Sequence, residues 1–237
     1  MKHSRKKEIG KTILVVVAHP DDEVLGCGAS IAKWTATGSI VHTLIMAEGS
    51  TSRDLVRNKK TKSDELLLLE KSAHSAGNIL GTASVKLLDF PDNRMDSLDR
   101  LDVIKAIEAE IERIKPDTVV THHCGDVNID HRITHEAVVT ACRPQPGHPV
   151  QLLLSFEVAS STEWQPTGSN IAFQPNWFEN VVETFDYKIK ALECYPSEMR
   201  EWPHPRSLKN IEYLAKFRGS AIGCEFAEGF MLLRVIQ

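Results

Sequence analysis

Apolar positions in this chain fall in short unbroken runs that alternate with longer stretches of helical spacing. The run Ile13-Leu14-Val15-Val16-Val17 predicts a strand at 12–18, residues 24–36 (VLGCGASIAKWTA) have the spacing of a helix, and 39–46 (SIVHTLIM) read as a second strand. The pattern repeats: a helix at 59–76 around Glu65-Leu66-Leu67-Leu68-Leu69-Glu70, a strand at 84–88, a helix at 99–114, and a strand at 117–121 after the break at Lys115-Pro116-Asp117. Such alternation predicts an α/β, Rossmann-like three-layer fold with a mostly parallel sheet, whose ligands gather at the carboxyl ends of the strands.

Beyond 144 the pattern changes. Pro144, Pro146 and Pro149 interrupt it, and 151–158, 170–174 and 179–184 read as extended, an added β segment or sheet edge. Helices at 186–195 and 207–218 and a strand at 226–235 complete a C-terminal α/β extension. No internal repeat or low-complexity tract is visible.

With 237 residues, 42% of them hydrophobic, the chain is long enough for one sizeable core, so a single domain over 1–237 is expected, with 1–10 flexible. The formal net charge is -4, from 28 basic and 32 acidic residues, and without a broad basic stripe nucleic acid is not an expected partner. The basic start Met1-Lys2-His3-Ser4-Arg5-Lys6-Lys7 precedes an apolar run too short for a signal peptide, and no later stretch approaches the ~18 apolar residues of a membrane span. Five scattered cysteines, Cys27, Cys124, Cys142, Cys194 and Cys224, show no CxxC spacing and read as reduced thiols, which together favour the cytoplasm.

The chemistry concentrates in two segments, each at a strand end. Ala18-His19-Pro20-Asp21-Asp22-Glu23 packs three acids and an imidazole into five residues. They would repel one another and lose hydration if they merely closed a buried strand, a conflict that a divalent cation resolves. The second segment, Thr121 to His135, carries His122, His123, Asp126, Asn128, Asp130, His131 and His135. His131 opens an apparent helix running through 142, so its imidazole can return to the crevice of His19. Two histidines and a carboxylate leave positions open for water and substrate; Zn2+ fits best, and Fe2+ or another divalent ion is compatible.

Adjacent aspartates leave the backbone in different directions, so Asp22 can bind the metal while Asp21 serves as base toward a water whose pKa the metal lowers to roughly 7. Asp21 is equally placed for a helix N-cap. Glu23 either supports the cation or complements the positive helix N-terminus. Asp130 either orients a ligand histidine or caps the helix. His135, one turn after His131, reads as a structural histidine or a fourth ligand.

The chain resembles the PIG-L/LmbE-like family of metal-dependent N-deacetylases. The family's A-H-P-D-D-E motif matches Ala18 to Glu23 without change, and its downstream D-H with a further histidine matches Asp130-His131 and His135. The resemblance extends through Ala47 to Arg53, Asp89 to Arg94, His204-Pro205-Arg206-Ser207 and Arg218-Gly219. It implies His19, Asp22 and His131 as ligands and Asp21 as general base. The chain departs from the thiol-pathway members at Asn128, which stands where they carry an oxyanion-holding histidine. Asn128 can donate a hydrogen bond but cannot be a cationic acid, so the proton for the leaving group falls to His204, His123 or Asp21.

The activity implied is zinc-dependent hydrolysis of the N-acetyl amide of an amino sugar or its conjugate, a small-molecule partner. Arg53, Asp92, Arg94 and Arg206 are the expected substrate contacts, and Trp202, beside His204, could stack on a sugar face. Hydrolysis of another N-acyl substrate and a non-catalytic metal- or sugar-binding protein are the alternatives. A homo-oligomer is compatible with the sequence.

Overall fold

The computed structural model describes residues 10–166, 168 and 171–237. The segment 1–10 expected to be flexible therefore lies, Gly10 apart, outside the described residues. Strand β1 (Thr12–Val17) shows why the fold needs three layers. Side chains alternate across a strand, and Ile13, Val15 and Val17 join one apolar cluster while Leu14 and Val16 join another. Both faces must be covered, and each fully buried aliphatic side chain contributes roughly 1.5–3 kcal/mol.

The elements follow the alternation: α1 (Asp22–Ala36), β2 (Ile40–Ala47), α2 (Ser63–Leu80), β3 (Ser84–Phe90), α3 (Arg100–Ile114), β4 (Thr118–His122), α4 (Ile129–Ala141) and β5 (Leu152–Phe156). Then come β6 (Trp177–Asn180), α5 (Phe185–Leu192), α6 (Leu208–Ser220) and β7 (Ala227–Val235). Among the described residues the sheet has the order β3-β2-β1-β4-β5-β7-β6. The first five in that order pair in parallel; β7 runs antiparallel to β5 and β6 antiparallel to β7. Residues of α1, α2, α5 and α6 pack on one face, and those of α3 and α4 on the other.

The strand order reverses between β1 and β4. From β1 the chain winds outward through β2 and β3, then returns past β1 to β4 and β5. The carboxyl ends of β1 and β4 therefore border the crevice that such folds leave at their switch point.

The extended stretches expected at 170–174 and 179–184 are displaced. Residues 171–174 form no strand, residue 170 lies outside the described residues, and β6 covers Trp177–Asn180. Its register comes from β7, with Trp177 opposite Phe230 and Asn180 opposite Ala227, a pairing that local spacing does not encode.

Helix α1 breaks at Cys27 (φ −147°, ψ 25°), which frees backbone groups in the interior. Lys188 Nζ donates to the Leu25 carbonyl at 2.8 Å, and the Glu228 carboxylate accepts from Ala29 N at 3.2 Å and Ser30 N at 2.7 Å. Lys188 and Glu228 also pair with each other at 2.6 Å, both buried. Gly26, just before the break, lies against the Phe156 ring, where a Cβ would clash.

Candidate metal and catalytic site

The loop after β1 and the loop after β4 bring their polar side chains together over the switch point. Asp22 Oδ2 lies 3.4 Å from His19 Nδ1 and 3.2 Å from His131 Nε2, and ligating atoms of the three residues all fall within 4.8 Å of one another. Asp22 Oδ1 and His131 Nε2 are buried without a hydrogen-bond partner. Leaving such groups unpaired costs about 1–3 kcal/mol each, and more when charged. A divalent cation among them would satisfy both, and two imidazoles with a carboxylate form a donor set suited to zinc. These residues therefore fit a resident metal ion.

The electrostatics agree. Burial disfavours charge on His131, but the charges of Asp22 and Asp126 outweigh it and raise the imidazole to about 9. Burial likewise opposes charge on His19, and hydrogen bonds to Asp130 and Asp22 carry it well above its ordinary value. Burial pushes Asp22 up, yet the His131 charge and hydrogen bonds with His131 and His19 hold it well below the usual carboxylate range. The carboxylates thus keep protons on imidazoles that a metal ion would displace.

Each predicted ligand histidine is held through its other ring nitrogen. His131 Nδ1 lies 3.1 Å from Asp126 Oδ2. Asp126 is fixed in turn by the Ser161 hydroxyl, by Thr162 Oγ1 at 2.8 Å and by Asn128 N at 2.8 Å. Burial pushes its carboxyl up, but the His131 charge prevails and brings it down to about 2. Sequence reasoning did not single out Asp126 for this position; a lone aspartate in a Gly-Asp-Val-Asn turn carries no spacing that marks it.

Asp130 faces His19 instead, its Oδ2 3.1 Å from Nε2, and accepts from Asn93 N at 2.6 Å and Met95 N at 3.0 Å. His122, also not singled out, stacks on His131 with ring centroids 3.9 Å apart and 14° between planes. Its Nε2 accepts from Ala18 N at 2.8 Å, and burial, followed by the His131 charge, pushes its pKa well down, so it forms a neutral flat wall.

Asp21 occupies the N-cap position of α1 but does not cap it. Its backbone lies at φ 110°, ψ −27°, and its side chain makes no cap hydrogen bond. The carboxylate instead accepts from Arg206 Nη1 at 2.7 Å. Glu23 braces this backbone: Oε2 accepts from Asp21 N at 3.1 Å, and Oε1 accepts from the Tyr195 hydroxyl at 2.7 Å. Burial raises the Asp21 carboxyl to about 8, against the pull of Arg206 and with the push of Asp22, Glu198 and Glu23. Burial also raises Glu23 to about 7, opposed by the Tyr195 hydrogen bond.

The remaining candidates spread around this centre. Asn128 caps α4, its Oδ1 accepting from Asp130 N at 2.8 Å while Nδ2 donates to Asn93 Oδ1 at 2.9 Å. Asp92 is buried beneath the rim, with Oδ1 3.3 Å from His19 Nε2 and Oδ2 accepting from Ser52 N and Oγ. Arg94 donates to the carbonyls of Asp54 and Leu55 and holds that loop. Arg53 and Arg206 both reach Glu198, at 2.7 and 3.5 Å. His204 Nδ1 accepts from Arg206 N at 3.0 Å, and its ring meets Trp164 edge to face. His135 binds the His122 carbonyl through Nδ1 at 2.8 Å, away from the ligand cluster.

Residues 14–142, more than half of the chain, match the family described as PIG-L, GlcNAc-PI de-N-acetylase. The chain belongs to the PIG-L family. This PIG-L chain is 32% identical over 193 residues to the uncharacterized deacetylase YaiS of Escherichia coli (strain K12), covering 79% of this chain and 91% of that protein. It is 27% identical over 228 residues to a diacetylchitobiose deacetylase of Thermococcus kodakarensis, 92% of this chain and 82% of the relative. Among solved structures, the 4-carboxy-2-hydroxymuconate hydratase GalB of Pseudomonas putida KT2440 superposes with a TM-score of 0.75 at 23% identity, covering 96% of this chain and 98% of GalB. That likeness shows the PIG-L fold on its own, and the reaction has to be argued from the site.

Proposed function

We propose that this chain is a metal-dependent amidohydrolase that removes the acetyl group from an N-acetylated amino sugar or its conjugate. The observation that carries this reading is a buried carboxylate, Asp21, spare to the ligand set and adjacent to it. A protein that only bound a metal or a sugar would have no need of that group, strained and held by Arg206. The deacetylases among its relatives support the amide as the bond broken.

His19, Asp22 and His131 would hold the ion. Zinc or another divalent ion bound there would polarise the amide carbonyl and acidify the attacking water. Asp21, beside the ligand set and held by Arg206, accepts that water's proton as general base. Asn128 retains a second amide hydrogen beyond the one given to Asn93, and donates it toward the developing oxyanion. The leaving amine takes back through Asp21 the proton that this carboxylate accepted from the water, with His204 as the alternative donor. The cysteines have no disulfide partner, which supports action in the reducing cytoplasm.

Elemental analysis of protein purified without chelator tests the reading first, with about one zinc or iron per chain expected. Acetate release from N-acetylglucosamine and its glycosides, abolished by chelation and restored by metal, is the second expectation. Protein that takes up no metal on reconstitution and releases no acetate would refute the proposal.

A further inference from the structure

We propose that Trp164 is a platform for a second sugar ring, so that the preferred substrate is an N-acetylated amino sugar joined glycosidically to another pyranose; this inference rests on the amidohydrolase reading above. Trp164 leaves 52% of its surface exposed, although an indole is among the largest apolar groups a protein can bury.

Its position ties it to the site. Trp164 lies in the segment after β5, and its neighbours in that segment are committed to site residues. Ser160 Oγ accepts from Arg206 Nε at 2.8 Å, and Ser161 and Thr162 hold Asp126. Glu163 accepts from the amides of Ser160 at 2.6 Å and Ser161 at 3.2 Å, which fixes the turn that carries the indole. The ring itself meets His204 edge to face at 5.7 Å, and His204 leads through Arg206 to Asp21. His204 and Arg206, joined through the Arg206 backbone amide, thus lie between the exposed indole and the proposed base.

The other half-exposed indole in this region is Trp202, where the sequence suggested sugar stacking. Its ring already packs edge to face on Tyr213 at 5.6 Å, with Lys209 Nζ 5.4 Å from its centroid. Trp164 has His204 as its aromatic neighbour and is the better placed of the two.

The surroundings favour a pyranose over other apolar ligands. A sugar ring offers C–H groups from its face and hydroxyls from its edge. The groups near Trp164 are polar: His204, Arg206 and, through Arg206, Glu198 and Arg53. An alkyl chain lying on the indole would offer these groups no hydrogen bond, whereas the hydroxyls of a sugar would.

The test compares acetate release from N-acetylglucosamine, N,N'-diacetylchitobiose and octyl N-acetylglucosaminide by the metal-loaded enzyme. The wild type is expected to prefer the disaccharide to the monosaccharide. Trp164→Ala should reduce that preference about tenfold, mainly through KM, and Trp164→Tyr should restore most of it. Trp202→Ala should leave the preference as it was. A wild type without preference, a Trp164→Ala variant that weakens all three substrates alike, or an octyl glycoside favoured as strongly as the disaccharide would overturn the proposal. So would a change in sedimentation on Trp164→Ala, which would make the indole a subunit contact. If the loaded wild type releases acetate from none of the three, it is the amidohydrolase reading that fails; if it releases acetate without regard to Trp164, only this inference does.

Discussion

Asp21 concentrates more physical tension than any other described residue of the site. A non-glycine residue at φ 110° stores on the order of 1–3 kcal/mol, kept here by Glu23 on its amide and Arg206 on its carboxylate. Asparagine tolerates positive φ, so Asp21→Asn is expected to fold and keep its metal while kcat falls by about 10²–10⁴-fold. Metal content measured beside kcat checks this, and substantial turnover in the variant would remove Asp21 from the base role. Arg206 lowers the Asp21 pKa against burial. Arg206→Met should therefore shift the acid limb of the kcat/KM profile to higher pH, and an unmoved limb would show that the guanidinium does not tune the base. Asp126→Asn should weaken metal affinity by about 10–100-fold in a chelator competition, because the carboxylate orienting His131 is lost. His19, Asp21, Asp22 and His131 stood out in the sequence because acids and imidazoles crowd at two strand ends. Asp126 did not, since a lone aspartate in a turn carries no marking spacing, and the Arg206 contact did not, since it depends on a fold-back between segments 185 positions apart.

At the scale of elements, the break in α1 is the feature with the largest energetic stake. Lys188 and Glu228 satisfy the freed backbone groups and each other in a buried setting. Replacing Lys188 with Met would strand the Glu228 charge and the Leu25 carbonyl. A loss of about 3–5 kcal/mol in denaturant unfolding is expected. A change under about 1 kcal/mol would mean that the pair is dispensable to α1. The strands and helices from β1 to α4 were legible because each carries its own period and its own breaker, such as Gly81 at φ 78° after α2 and Lys115-Pro116 after α3. Strand β6 was displaced because its four residues are defined by β7, about fifty positions later. Nothing periodic marks Cys27 as a break either; the groups that accommodate it come from α5 and β7.

Across the whole molecule, the buried acids and imidazoles couple stability to pH. Asp21, Glu23 and His131 all bind a proton more tightly in the folded chain: about 8 against 3.8, about 7 against 4.5, and about 9 against 6.5. A raised folded pKa lends stability that is complete below the unfolded value and lost as pH climbs through the folded one. All three point the same way, so the thermal midpoint of chelated protein should fall between about pH 6.5 and 9. A bound cation takes the place of the imidazole proton, so the loaded protein should lose less over the same window. Thermal scans with and without chelator check this; a chelated midpoint that climbs with pH would contradict it.

The break in α1 and the grip on Asp21 also carry a consequence for synthesis. The three proposed ligands and Asp130 belong to the portion of the chain completed by α4, whereas Lys188, Arg206 and Glu228 are translated later. On the ribosome, a half-made chain already carries the groups that would seat the ion before it has the groups that tension the base. Under the proposed mechanism, seating the ion and tensioning the base are then separate events in time, the second waiting on Arg206, which emerges just before α6.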